Sequence, residues 1–243
     1  MSEILLFSTA STAAILGLGF LIGLKHATEA DHLAAVSTIV AERKSLWSST
    51  FIGGIWGLGH TISLFLAGVF VLLLDFQISE QTERILEFCV GIMLTLLGLN
   101  VLRKLLQGGK LHFHTHEHGA HEHAHPHIHA HETETDSHHG FKFNPRALII
   151  GMIHGLAGSA GLMLLIVPTI ESKTVGLLYI IVFGIGSIGG MMLMSLLVGL
   201  PFHFTAEKFN RFNRILQSIA GVVSVVLGLL IIYEKGVTEG LFS

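Results

Sequence analysis

Gly23-Leu24-Lys25-His26-Ala27-Thr28-Glu29-Ala30-Asp31-His32-Leu33 places five ionisable side chains, Lys25, His26, Glu29, Asp31 and His32, between apolar runs that otherwise read as membrane-spanning. At bilayer depth such a group costs at least about 2.5–3.5 kcal/mol, so it is retained where it marks a substrate or ion path. The surrounding composition agrees. The 243 residues are 51% hydrophobic and 13% charged, with 28 glycines and a mean hydropathy of +0.68. A soluble domain carries about 25% charged residues, and glycine is frequent in membrane helices because it lets backbones approach. The chain reads as an all-α integral membrane protein.

Several function classes are excluded at this level. The formal charge of −3 comes without a basic patch, so nucleic acid is not an expected partner. Cys89 is the lone cysteine, which rules out an intrachain disulfide and the cysteine pair of a membrane thiol relay. No His-Glu-x-x-His pair and no Gly-x-x-x-x-Gly-Lys-Ser/Thr loop occurs, so neither a zinc protease nor a built-in ATP motor is expected. The protein is not expected to be an enzyme. Met1-Ser2-Glu3 lacks the basic start of a cleavable signal peptide, so the first apolar run is read as retained.

Windows of about 20 apolar residues predict six spans, near 17–40, 50–74, 85–106, 146–170, 175–199 and 213–233. Residues 4–15 either extend the first span or lie at the outer surface. Between the third and fourth spans, residues 111–140 hold twelve of the 17 histidines: His112, His114, His116, His118, His121, His123, His125, His127, His129, His131, His138 and His139. This segment has no apolar period, and a disordered metal-collecting loop is expected.

The halves on either side of that loop repeat each other. Arg84-Ile85-Leu86, Gly91 and Leu97-Gly98-Leu99 recur 130 positions later as Arg214-Ile215-Leu216, Gly221 and Leu227-Gly228-Leu229. Gly57-Leu58-Gly59-His60 matches Gly184-Ile185-Gly186-Ser187 at 127, and Gly23-Leu24-Lys25-His26 matches Gly151-Met152-Ile153-His154 at 128. Each half holds three spans, an odd number, so the second must enter the membrane from the opposite side. The expectation is two inverted three-helix repeats, residues 1–110 and 141–243, an architecture that places a substrate site at the midplane between repeats. His26, His60 and His154 each lie about ten residues into a span, about 15 Å deep in a core of about 30 Å. Ten basic residues on the side of the histidine loop, against Arg84, Lys173 and Lys235 on the other, put that loop in the cytosol and both termini outside a bacterial-type inner membrane.

Imidazole nitrogens with carboxylate oxygens suit nickel, cobalt, zinc or copper, and with no thiolate cluster copper(I) is disfavoured. On an ideal helix Glu29 and His32 lie at about 300° and 240° from His26, on one face, whereas Asp31 at about 140° faces away. Asp31 then acts through an outer shell or another helix, or the span unwinds locally. Candidate metal residues are His26, Glu29, Asp31, His32, His60 and His154. A helix-interface histidine also serves as a hydrogen-bonding residue worth about 0.6 kcal/mol, and His203, just after Pro201, is read as interfacial.

His26-x4-Asp31-His32, followed by Gly59-His60-Thr61, resembles the signature of the NicO nickel/cobalt transporter family, with Glu29 at the family's first acidic position. His154-Gly155-Leu156-Ala157-Gly158-Ser159-Ala160 resembles the second-half motif of its shorter, six-span members, some described as urease-accessory permeases. The resemblance covers nearly the whole chain. It implies a secondary transporter of divalent nickel or cobalt with His26, Asp31, His32 and His60 in the permeation site. No resident cofactor is expected; the metal is the substrate, and the ligand chemistry leaves zinc a third candidate. The second expectation is a membrane metal sensor or metallochaperone-like partner of urease or hydrogenase maturation.

Overall fold

The computed structural model of the protein describes residues 2–41, 43, 45–74, 79–107, 110–118, 121–129, 145–157, 170, 172–206 and 210–241. Among them are seven α-helices: α1 Ser2–His26, α2 Ala30–Val40, α3 Leu46–Leu74, α4 Glu80–Leu106, α5 Pro145–Leu156, α6 Lys173–Ala206 and α7 Asn210–Tyr233, the last running into a π-helical turn, Glu234–Thr238. Four helices are long and apolar enough to cross a bilayer, over 46–73, 80–106, 173–205 and 211–238. The pair Thr12–His26 and Ala30–Val40, bent by 55° at a short break, makes a fifth. The protein is a multi-pass membrane protein. Where a fourth span was expected over 146–170, α5 supplies 12 residues, about 18 Å of helix, and 158–169 lie outside the described residues. Residues 4–15 belong to α1, of which the part from Thr12 on enters the candidate span.

Two blocks form the membrane part. In one, α3 packs on α5 and α6, and α1 packs on α6; in the other, α4 packs on α7, with α2 lying against α6, α7 and α4. Glycine makes these contacts possible. A Cβ on Gly98 would lie 2.5 Å from the Gly221 carbonyl oxygen, and one on Gly91 2.9 Å from that of Gly228. Ser224 Oγ donates to the Leu94 carbonyl across the same seam, 2.8 Å. In the larger block, Gly23 abuts the Phe183 carbonyl and Ser187 amide of α6, and Gly186 abuts Phe20 and Leu24 of α1. Gly151 abuts Trp56 of α3, and Gly59 abuts Leu148 and Met152 of α5. The carbonyl contacts of this set recur between the matching residues of the other half.

Polar ties close both ends. Lys235 Nζ pairs with Glu87 at 2.7 Å and Glu239 at 2.6 Å, and Arg84 donates to the Glu239 carbonyl at 2.7 Å, so the π turn is held against α4. At the opposite end Gln217 donates to the Ala41 carbonyl, and Asn213 to the Phe202 carbonyl and Thr205 Oγ1.

Within 111–140, expected to be disordered, the backbone forms a two-stranded antiparallel ribbon. β1 Lys110–His118 pairs with β2 His121–His129, with Lys110 opposite His129 and His118 opposite His121. The histidine alternation that denies this segment an apolar helix face is itself the period of a strand. Residues 119–120 and 130–144 lie outside the described residues.

Candidate metal centre

The first span breaks just after His26. Thr28 N–H and Glu29 N–H close a turn onto the Lys25 and His26 carbonyls at 2.8 and 3.0 Å, and Thr28 Oγ1 also donates to the Lys25 carbonyl, 2.6 Å. Short hydroxyl side chains compete in this way with the helical ladder. Glu29 is extended (φ −66°, ψ 150°), and α2 restarts at Ala30 with Asp31 in its first turn, where a carboxylate is favoured by the helix dipole. Asp31 Oδ1 accepts the His32 N–H at 2.8 Å. α5 ends at Leu156, two residues after His154. The Ala157 N–H bonds the His154 carbonyl at 3.2 Å, the counterpart of Glu29 on His26. Two helix C-termini, α1 and α5, therefore end beside the same site, and their partial negative charge favours a cation.

Four imidazoles meet there. Ring centroids lie 4.2 Å apart for His26 and His32, 4.1 Å for His32 and His154, 5.1 Å for His26 and His60, and 5.2 Å for His32 and His60. All four side chains are buried. His26, His32 and His60 form one group whose ligand atoms fall within 4.8 Å of one another, and Asp31, His32 and His154 form a second; His32 belongs to both.

The carboxylates decide which nitrogens face the centre. Asp31 Oδ1 lies 3.0 Å from His32 Nδ1 and Oδ2 lies 3.0 Å from His154 Nε2, while Glu29 Oε2 lies 3.0 Å from His26 Nδ1. An ionised carboxylate only accepts, so these three ring nitrogens carry the protons and donate. The lone pairs are then on His26 Nε2, His32 Nε2 and His154 Nδ1. Those atoms, with both nitrogens of His60, are buried without a hydrogen-bond partner among the described residues. Buried ring nitrogens without a partner are costly, and here several are gathered within one cluster of rings. A carboxylate on the far nitrogen is the usual outer-shell support of a metal-binding imidazole.

All six residues singled out in the sequence are drawn to this centre, Glu29 and Asp31 through the histidines they hold. Asp31 does not face away: the break at 27–29 resets the helical phase, and the carboxylate reaches α5. His203 lies apart on the last turn of α6, beside Phe204 at 5.6 Å. Sequence reading missed Trp56, 5.4 Å from both His32 and His154, and Phe183, 5.7 Å from His26. Their signal was faint: each stands one helical turn before a position matched between the halves, His60 and Ser187.

Fold and site together define a multi-pass membrane protein with a buried histidine and carboxylate cluster where the first span breaks and α5 ends. The family model described as "Cytochrome C biogenesis protein transmembrane region" matches residues 33–230. The urease accessory protein UreH of Bacillus sp. (strain TB-90) is 41% identical over 235 residues, 95% of this chain and 95% of that protein. The chloroplast protein FOR GROWTH AND FERTILITY 2 of Arabidopsis thaliana is 26% identical over 219 residues, 89% of this chain and 55% of that protein. No solved structure matches the chain. The chain belongs to the UreH family of urease accessory membrane proteins, on the transmembrane scaffold that the family model describes. It is not an enzyme. With Cys89 alone, it shares that scaffold without a cysteine pair.

Proposed function

We propose that the protein is a secondary transporter of divalent nickel or cobalt, of the NicO type, with six spans arranged as two inverted three-helix repeats. The observation that carries this reading is the convergence of four buried imidazoles, each with a nitrogen unpaired among the described residues, where the first span breaks and α5 ends. A doubly charged ion enters hydrocarbon only if most of its hydration shell is replaced. The free nitrogens of His26, His32, His60 and His154 supply that replacement, and Asp31 and Glu29 orient the rings and offset the charge. The name of the UreH relative, a urease accessory protein, supports nickel as the cargo, since urease maturation is the process such an accessory serves.

The inverted repeat is supported by the paired contacts. Gly98 meets Gly221 as Gly91 meets Gly228, and Gly23 meets Phe183 as Gly151 meets Trp56. A two-fold axis in the membrane plane produces such reciprocity. The basic-residue bias orients the protein with both termini outside and the histidine ribbon in the cytosol. There the ribbon collects or buffers metal, neutral imidazoles being free to coordinate near pH 7.

Nickel uptake into proteoliposomes tests the reading, with His32→Ala compared against His203→Ala at equal insertion. Loss of uptake in the first variant and retention in the second is expected. Equal uptake in both would reject the site. The urease relative also favours a second reading, a membrane metal sensor or metallochaperone-like partner of urease maturation. That reading gains if the unsubstituted protein binds nickel but moves none across the bilayer.

A further inference from the structure

Each half of the chain presents a histidine beside an aromatic ring on the neighbouring helix. His154 has Trp56 of α3 at 5.4 Å, and four residues further along α3 comes His60, 6.2 Å away. His26 has Phe183 of α6 at 5.7 Å, and four residues further along α6 comes Ser187. The backbones match as well, since Gly23 abuts the Phe183 carbonyl and Gly151 abuts that of Trp56, one helical turn before Ser187 and His60. Ser187 therefore stands toward His26 as His60 stands toward His154.

Ser187 is fully buried, and its Oγ has no hydrogen-bond partner among the described residues. Ser195, two turns further along α6, shares this state but at the offset of 127 matches Gly68 and not a histidine. Ser63, Thr38 and Thr205 each turn their hydroxyl back onto a carbonyl of their own helix. A buried hydroxyl that forgoes this bond is costly unless a partner arrives from outside the protein.

We propose that Ser187 is a further positioning residue of the ion site, its hydroxyl holding a water molecule that the bound divalent ion retains. This rests on the transporter reading above. A hydroxyl is shorter than the imidazole of the matching position and is a hard, neutral donor, so it suits an ion-bound water better than direct ligation of nickel or cobalt. The site is thus unequal across the pseudo-two-fold axis. His60 grips the ion from the first half, and Ser187 leaves it hydrated on the second-half side.

Cobalt(II) added to the purified full-length protein in detergent provides the probe, because its visible bands report the ligand set. The unsubstituted protein should show cobalt bands and, with Cys89 exposed on α4, no thiolate charge-transfer band from the site. Ser187→Ala should weaken cobalt binding about tenfold, the low end for loss of an outer-shell partner. Ser187→Cys, nearly the same size, should add a sulfur-to-cobalt charge-transfer band as the thiolate displaces the water. Ser195→Cys, two turns along the same helix, should add none. A Ser187→Cys spectrum identical to that of Ser195→Cys, or unchanged affinity in Ser187→Ala, would overturn the proposal while leaving the histidine site standing. Absence of cobalt bands in the unsubstituted protein would overturn both.

Discussion

Asp31 is the side chain through which the two halves meet at the site, since one oxygen holds His32 and the other holds His154, 123 positions away. Its contribution is charge and orientation together. Asp31→Asn keeps the shape but replaces one accepting oxygen with a donating amide, so one of the two rings loses its anchor. Metal affinity should fall about 10–100-fold, as for loss of other outer-shell partners, with helix content unchanged. Titration with nickel checks this, and a constant within twofold of the parent would show that the rings need no such anchor. Glu29→Gln should cost less, because Glu29 is 42% exposed and touches one ring only.

At the level of elements, stability rests on close helix crossings where glycine is required by space. Gly98 is the clearest case. A Cβ there would meet Val225 N at 2.8 Å and the Gly221 carbonyl, and backbone atoms cannot swing aside as a side-chain tip can. Gly98→Val should destabilise the α4–α7 pair by about 1–3 kcal/mol, the usual cost of overpacking. Gly189 on α6 has nothing within 4 Å of an added Cβ, so Gly189→Ala should be neutral or raise stability by about 0.5–1 kcal/mol. Thermal unfolding of both variants in one detergent separates the effects. Equal melting temperatures would mean that the α4–α7 crossing is looser than these contacts require.

For the whole molecule, the histidine ribbon is an element of its own, built by β1 pairing with β2 along its length. Deleting residues 112–139 should lower the number of nickel ions bound per chain and leave uptake measurable. Loss of uptake in a folded, inserted deletion variant would place the ribbon in the pathway. The proposed orientation is tested separately. A cysteine introduced at His125 in a Cys89→Ser background should resist an impermeant thiol reagent applied to intact cells and react after the cells are opened. Labelling from outside would reverse the topology.

Much of this architecture was already legible in the chain. Hydropathy and ionisable residues set inside apolar runs are properties of short segments, so the multi-pass helical class and the buried His26, His32, His60 and His154 could be read directly. The break after His26 was left open because an ideal helix has one phase, and nothing in Ala27-Thr28-Glu29 taken alone forces the chain to leave it. Only the tertiary structure decided that Asp31 turns inward and that three imidazoles are held by one nitrogen and free at the other. Those facts depend on side chains from α1, α2, α3 and α5 arriving at one point. A local pattern can place a ligand at a depth; the atom it presents is set by the neighbours that take its remaining hydrogen bonds.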